Sequence, residues 1–466
     1  MNNGKTIFSQ IMSNIPEREF KACVDRYKGN YRSRNFTCKD QFLVMSYAQL
    51  TNRGSLRDIE NCLTALSSRL YHCGISYTVP RNTLAKANEK RVWRIYADFA
   101  QVLVKKVRPL YAKDDFHLDL DNMVYAFDSS TISLCLNLCP WAKFRKHKGG
   151  IKMHTLLDLR GNLPVSVYLT EASVHDVKAL DYLYIEPSAI YLMDKGYVDF
   201  YRLFHLIHEK NAFFVTRAKD NMRFDITACC EVDKSTGVIA DEKIKLIGLR
   251  TSQWYPEEIR RYQDAATKNV YRFLTNNMEY EALTISELYR ERWNVELFFK
   301  WIKQHLHIKS FYGTSENAIY LQIWIAVCTY LLLALTKKKM HMNQSLHTIS
   351  KNVGLFLTDN PQLMNYLTRL FPRKSQPITI CRAYSDRKIS KRDSSDLKSC
   401  FFVIYIFYAT NPPLLFGLTC GFEPQISYPC VRLMQTKLLL VTFSHHHTIL
   451  QAYFLLKTNR YHAQKL

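Results

Sequence analysis

The stretch Ala189–Lys219, AIYLMDKGYVDFYRLFHLIHEKNAFFVTRAK, decides the fold. It opens on a short apolar run that closes on an acid, Asp194. A helix-like segment, FYRLFHLIHEKN, follows, and then a second apolar run, AFFVTRAK. Short apolar runs bounded by turn residues suit buried strands, and a helix between two of them makes a β–α–β unit. The same grammar extends upstream. MVYAFDSS (Met123–Ser130) is another apolar run ending in an acid, Asp128. IKMHTLLDLRGNLPVSVYLT (Ile151–Thr170) reads as two strands around an Arg-Gly-Asn turn, and HDVKALDYLY as a helix. The expected fold class is therefore α/β, with a mixed sheet.

Outward from this centre the character changes. Residues 217–283 are mixed polar, contain the strand-like VYRFLTNN, and predict a β-rich insertion. A long helix is expected from Thr284 to His307. The apolar run Ile319–Leu335 is followed by Lys337, Lys338 and Lys339, and it is read as a buried core helix with a cationic end rather than a membrane span. Residues 1–115 read as all-helical, with Ser55 placed to cap SLRDIENCL. Arg81, Lys86, Lys90 and Arg91, after a turn containing Gly74, would suit the reading helix of a helix-turn-helix unit. The expected domains are thus 1–115, 120–345 and a poorly assigned basic extension over 372–466.

Composition narrows the function. The chain has 466 residues, with 64 Lys and Arg against 41 Asp and Glu, a formal net charge of +23. Hydrophobic residues make up 47%, which excludes a disordered or fibrous chain. The positive excess points to a polyanionic partner, nucleic acid before an anionic membrane. The N-terminus lacks the pattern of a secretory signal, and the 13 scattered cysteines contain no C-x-x-C pair. These features predict reduced thiols in a cytoplasmic protein, without a zinc site or disulfide framework.

The chemistry concentrates on the long helix. Tyr289, Arg292, Glu296 and Lys303 fall within an arc of about 60° at helical spacing, with Trp293 and Lys300 flanking it. Val295, Phe298, Phe299, Trp301 and Ile302 lie on the opposite, buried side. Aromatics interleaved with cations around one carboxylate exceed what solvation of a charged face requires. Asp128 and Asp194 each end an apolar strand. If those strands are parallel neighbours, both acids meet at one edge of the sheet and Glu296 can join them. Three carboxylates repel unless cations neutralise them, and hard oxygen ligands suit Mg²⁺. Two such ions can activate an attacking oxygen and stabilise a leaving one at a phosphodiester. Taken one at a time, Asp128 and Asp194 read as simple strand-end caps; taken with the helix pattern and the charge, they read as site residues.

The series Tyr289-(2)-Arg292-(3)-Glu296-(6)-Lys303 resembles the Y-(2)-R-(3)-E-(6)-K signature of the IS4 family of DDE transposases of bacterial insertion sequences. Asp128 in AFDSST and Asp194 in LMDKGYVD resemble that family's first and second catalytic acids. Lys195 stands where many members carry Arg. The resemblance covers roughly residues 1–340. It implies a ribonuclease-H-like catalytic core with a β-rich insertion, preceded by an all-helical N-terminal DNA-binding domain. It also implies binding of double-stranded DNA at terminal inverted repeats and at the target, and a homodimeric synaptic complex. The implied activity is cut-and-paste strand transfer with two Mg²⁺ ions, for which Mn²⁺ can substitute.

By the same resemblance Asp128, Asp194 and Glu296 are the catalytic acids and metal ligands, while Tyr289, Arg292 and Lys303 contact DNA phosphates. Trp293 shares that face and could stack on a displaced base. Lys300 flanks it, and Arg145 and Lys152, in the basic stretch KFRKHKGGIKMH, are further candidates for phosphate contact. His175-Asp176 reads as a cap of the next helix and His445-His446-His447 as incidental. The expected setting is bacterial cytoplasm, associated with the nucleoid and not with a membrane. The competing readings are a DNA-binding relative that has lost catalysis, a plain metal-dependent nuclease, or a membrane-associated protein.

Overall fold

The computed structural model describes residues 6–358, except 113, 115, 117, 119, 146, 147, 265–269 and 306–310. All of these fall within one compact unit, Met1–Arg373; a second unit spans Lys374–Leu466. The expected extension over 372–466, including His445-His446-His447, lies outside the described residues.

The amino-terminal part is helical. Helices α1 (Ile7–Met12), α2 (Glu17–Arg26), α3 (Cys38–Leu50), α4 (Leu56–Ala65), α5 (Arg81–Lys90) and α6 (Arg94–Tyr111) follow one another. Their ends are chemically defined. Thr37 and Asp40 form a reciprocal capping box on α3, and the Ser55 hydroxyl accepts the Asp58 N–H at the start of α4. Gly74 takes a left-handed φ of 78°, which turns the chain between α4 and α5. Arg81, Lys86 and Lys90 are exposed on α5. Arg91 corrects its expected place among them. Its guanidinium is buried and donates to the carbonyl of Thr37 (2.8 Å), the side chain of Gln41 (3.1 Å) and the hydroxyl of Ser33 (3.0 Å). A guanidinium with those partners is a structural tie, since leaving them unpaired would cost more than any exposed contact returns.

The sheet carries ten strands. They are β1 (Val124–Leu134), β2 (Lys143–Arg145), β3 (Lys148–Asp158), β4 (Leu163–Glu171), β5 (Ile190–Met193), β6 (Phe213–Arg217), β7 (Phe224–Cys229), β8 (Val238–Leu246), β9 (Ile259–Asp264) and β10 (Tyr271–Thr275). The path runs β2-β3-β1-β5-β6-β10-β9-β8-β7, with β4 also paired to β3. Strand β1 is antiparallel to β3 and parallel to β5, and β5 is parallel to β6. The hairpin expected over Ile151–Thr170 is β3–β4, with Asn162 in the left-handed region at its turn. The strands within 217–283 extend the edge of the same sheet through β10, antiparallel throughout.

Two short helices, α7 (Phe200–Arg202) and α8 (Thr251–Trp254), precede the carboxy-terminal set α9 (Ala282–Glu291), α10 (Trp293–His305), α11 (Glu316–Lys339) and α12 (Leu346–Phe356). The helix expected as continuous over Thr284–His307 is broken at Arg292. There the Arg292 N–H donates to the Tyr289 carbonyl and the Val295 N–H to the Arg292 carbonyl, tightening the turn to three-residue spacing. Helix α11 is long and apolar enough to cross a membrane, yet its most apolar stretch is wholly buried in the fold. It packs on α1, α3, α5, α6, α10, α12 and β4. Two of its polar side chains are satisfied inside: the Gln322 side chain accepts the Tyr312 N–H (3.0 Å), and Thr329 pairs with Ser46 (3.0 Å). Each of its fully buried Leu and Ile side chains contributes about 1.5–3 kcal/mol of burial free energy. These helices share one core with part of the sheet, and a second cluster around Phe127, Tyr191, Met193 and Phe214 lies apart from it.

Candidate active site

Strand register assembles the site. Phe127 of β1 stands opposite Met193 of the parallel β5, and Met193 stands opposite Thr216 of the parallel β6. One residue further along each strand come Asp128, Asp194 and Arg217, so a cation and two acids line up across three strands. This follows from parallel pairing, in which equal steps keep side chains abreast. Arg217 Nη2 accordingly sits 3.0 Å from Asp194 Oδ1. Helix α10 packs against β1 and adds Glu296. Its apolar face (Val295, Phe298, Phe299, Trp301 and Ile302) is buried, as the helical spacing predicts.

Arg292, at the break before α10, joins the acids. Its Nη1 lies 2.7 Å from Asp128 Oδ2 and 3.9 Å from Glu296 Oε1, with side-chain exposures of 12%, 14% and 41% for Arg292, Asp128 and Glu296. Its charge also reaches Asp194. The other Asp128 oxygen accepts the backbone N–H of Ser129 at 2.8 Å. Burial pushes the Asp128 carboxyl up to about 7; the Ser129 N–H and Arg292 pull it down, and the neighbouring Glu296 carboxylate raises it again. Asp194 ends below its ordinary value. Burial works to raise it, but the Lys195 N–H, Arg217 and Arg292 outweigh that effect. The Tyr289 hydroxyl donates to Asp194 Oδ1 at 3.4 Å, and its ring packs on Phe273.

The remaining expected residues divide into two groups. Lys303 is turned onto β1, donating to the Ser130 hydroxyl (2.6 Å) and the Thr131 carbonyl (2.9 Å). Lys152 is likewise held internally, by the Val174 carbonyl (2.6 Å) and Asp176 (3.2 Å). Trp293 and Lys300 are exposed on α10, Trp293 at 59%. Arg145 lies in β2, and its side chain is outside the described residues.

Three participants were not anticipated in these roles. Arg217 could have been found only from strand register. Asp176 accepts the Ser129 hydroxyl at 2.6 Å, which places a fourth acid one residue from Asp128. Buried Tyr197, in the DKGY sequence, lies within electrostatic reach of Asp128, Asp176 and Asp194.

Asp128 and Glu296 offer hard carboxylate oxygens side by side. The donor set fits a divalent cation. Among the described residues, however, no three or more acidic, His or Cys side chains are gathered closely enough to hold a metal ion, and a guanidinium lies among the three acids.

Two acids at the ends of neighbouring parallel strands, with a third on the helix packed against β1, are what an enzyme of the DDE type requires. The comparisons agree. Residues 120–332 match the transposase DDE domain, and residues 3–76 match a domain of unknown function (DUF4372). The assigned transposase y4zB of Sinorhizobium fredii is 34% identical over 260 residues, 55% of this chain and 71% of that one. A transposase assigned to insertion sequence element IS5377 of Geobacillus stearothermophilus is 30% identical over 227 residues, 48% of this chain and 59% of that one. One assigned to element IS4SA of Synechocystis is 25% identical over 267 residues, 55% and 72% of the two chains. The chain belongs to the transposase family, carries its DDE domain, and is a metal-dependent DNA transposase.

Proposed function

We propose that this transposase binds the terminal inverted repeats of its own insertion sequence and moves the element by cut-and-paste, with Asp128, Asp194 and Glu296 as the catalytic acids. The single observation that carries the assignment is the parallel register that pairs Phe127 with Met193, the residues just before Asp128 and Asp194, with α10, which bears Glu296, packed on β1. The order β4-β3-β1-β5-β6, antiparallel for the first pairs and parallel for the last, supports a ribonuclease-H-like core. The exposed cations of α5 support a DNA-binding role for the helical region 1–115; action on nucleoid DNA as a homodimer is proposed from the family resemblance alone.

Mg²⁺ ions would be held by Asp128, Asp194 and Glu296 once these acids are drawn closer together than they stand here, and would supply Lewis-acid activation of the phosphodiester. The chain's own residues do the rest. Arg217 and Tyr289 orient Asp194 from one side, and Ser129 fixes one oxygen of Asp128. Lys303 braces β1 beside Asp128. Trp293 and Lys300, exposed on the same helix, are placed to meet DNA, the indole by stacking and the ammonium at phosphate.

The test is cleavage of a labelled terminal-repeat duplex with Mg²⁺. Wild type should nick the repeat end and join the 3′-hydroxyl to a target duplex, whereas Glu296→Gln should bind the duplex and cut nothing. Retained cutting by the variant would overturn the site. Cutting by wild type without joining would make the protein a nuclease.

A further inference from the structure

The position of Arg292 has a consequence for how the acids meet their ion. Its guanidinium is nearly buried, packs over the Tyr289 ring (5.7 Å) and makes its shortest ionic contact with Asp128 Oδ2. Glu296 Oε1 stands 3.9 Å from the same nitrogen. In the ion-free protein this one positive charge lets two carboxylates lie side by side. A divalent ion held by the same carboxylate oxygens would compete with Nη1 for them, and two cations drawn to one pair of carboxylates repel. Both cannot hold the pair at once.

Arg292 also has an alternative partner of the right shape. It occupies the break between α9 and α10, from which the exposed Trp293–Lys300 face of α10 begins. A guanidinium exchanges a single carboxylate oxygen for a phosphate without loss, because phosphate offers it two parallel hydrogen bonds.

We propose that Arg292 is a resident counter-cation: it holds Asp128 and Glu296 together in the ion-free protein, excludes a divalent ion from that pair, and releases the pair when a DNA phosphate becomes its partner. Arg292 is thus a positioning residue that makes ion loading depend on DNA. The inference rests on the reading of Asp128 and Glu296 as ion ligands.

The experiment counts bound Mn²⁺ by electron paramagnetic resonance on the full chain. Without DNA, Arg292→Gln should bind Mn²⁺ roughly tenfold or more tightly than wild type. Arg292→Lys, which keeps the cation, should stay within about threefold of wild type and control for misfolding of the Gln variant. With saturating terminal-repeat duplex, and the duplex's own Mn²⁺ binding subtracted, wild type should tighten by a similar factor and Arg292→Gln should not. Unchanged or weaker Mn²⁺ binding by a folded Arg292→Gln would overturn the proposal. Asp128→Asn separates the two failures: if it binds Mn²⁺ like Arg292→Gln, the ligand assignment itself is wrong.

Discussion

Replacing Arg108 by Met tests whether the amino-terminal helices and the sheet are one structure. Arg108, on α6, donates through Nε to Asp158 at the end of β3 (3.1 Å) and through both Nη atoms to Glu186 (2.9 and 3.0 Å). Glu186 also accepts the Tyr125 hydroxyl of β1 at 2.7 Å. Asp158 is the costly member. Its side chain is only 3% exposed, and without Arg108 it keeps one nearby donor, the Arg160 N–H at 3.0 Å. Burial already raises its pKa, with the Arg160 N–H and Arg108 acting against that.

Removing one partner of a buried pair costs about 3–5 kcal/mol. Glu186 is partly exposed and adds little. The retained Arg160 bond argues for the lower end, so Arg108→Met should cost about 3 kcal/mol in urea unfolding. Adding Asp158→Asn should recover about 2 kcal/mol, because an amide does not carry a stranded charge. Far-ultraviolet circular dichroism and tryptophan fluorescence should shift together, since the pair ties α6 to β3. A loss below about 1 kcal/mol, or no recovery in the double variant, would refute the reasoning. Separate transitions would mean that the helices unfold alone.

Two further outcomes follow from the same structure. Burial lowers the pKa of His154, which pairs with Thr170 at 3.0 Å, from 6.5 to about 4. The fold therefore holds it neutral while the unfolded chain takes up a proton between those values. Its contribution is fully present above pH 6.5 and is lost as pH falls towards 4. Wild type should lose up to about 3 kcal/mol relative to His154→Gln over that window in paired urea titrations, and a constant difference would show that the ring is not held neutral. Lys300→Ala should leave stability unchanged and lower the salt slope of DNA binding by about one phosphate contact; an unaltered slope in anisotropy titrations would remove Lys300 from the interface.

Periodicity carried a large part of this protein's reading. Strand runs that end in Asp128 and Asp194 are local patterns, and so is the split of α10 into an apolar face and a face bearing Glu296. The apolar character of α11 was equally plain, although only its neighbours decide that it is a core helix: the same residues would satisfy a bilayer by length and composition. Spacing put Tyr289, Arg292 and Lys303 on one arc, and the resemblance assigned them to DNA phosphates. What the sequence did not show is that they also contact Asp194, Asp128 and the Thr131 carbonyl, which the break at Arg292 and the packing of α10 on β1 bring within reach.

What the amino-acid sequence determined by itself is which residues are chemically equipped to act: hydrophobic spacing is a property of neighbours along the chain, and it survives without the fold. Which charges meet was decided by tertiary structure alone. Arg217 finds Asp194, Asp176 finds Ser129 and Arg108 finds Asp158 through strand register and helix packing. Ionic contact depends on distance through space, and residues far apart in sequence carry no local sign of it.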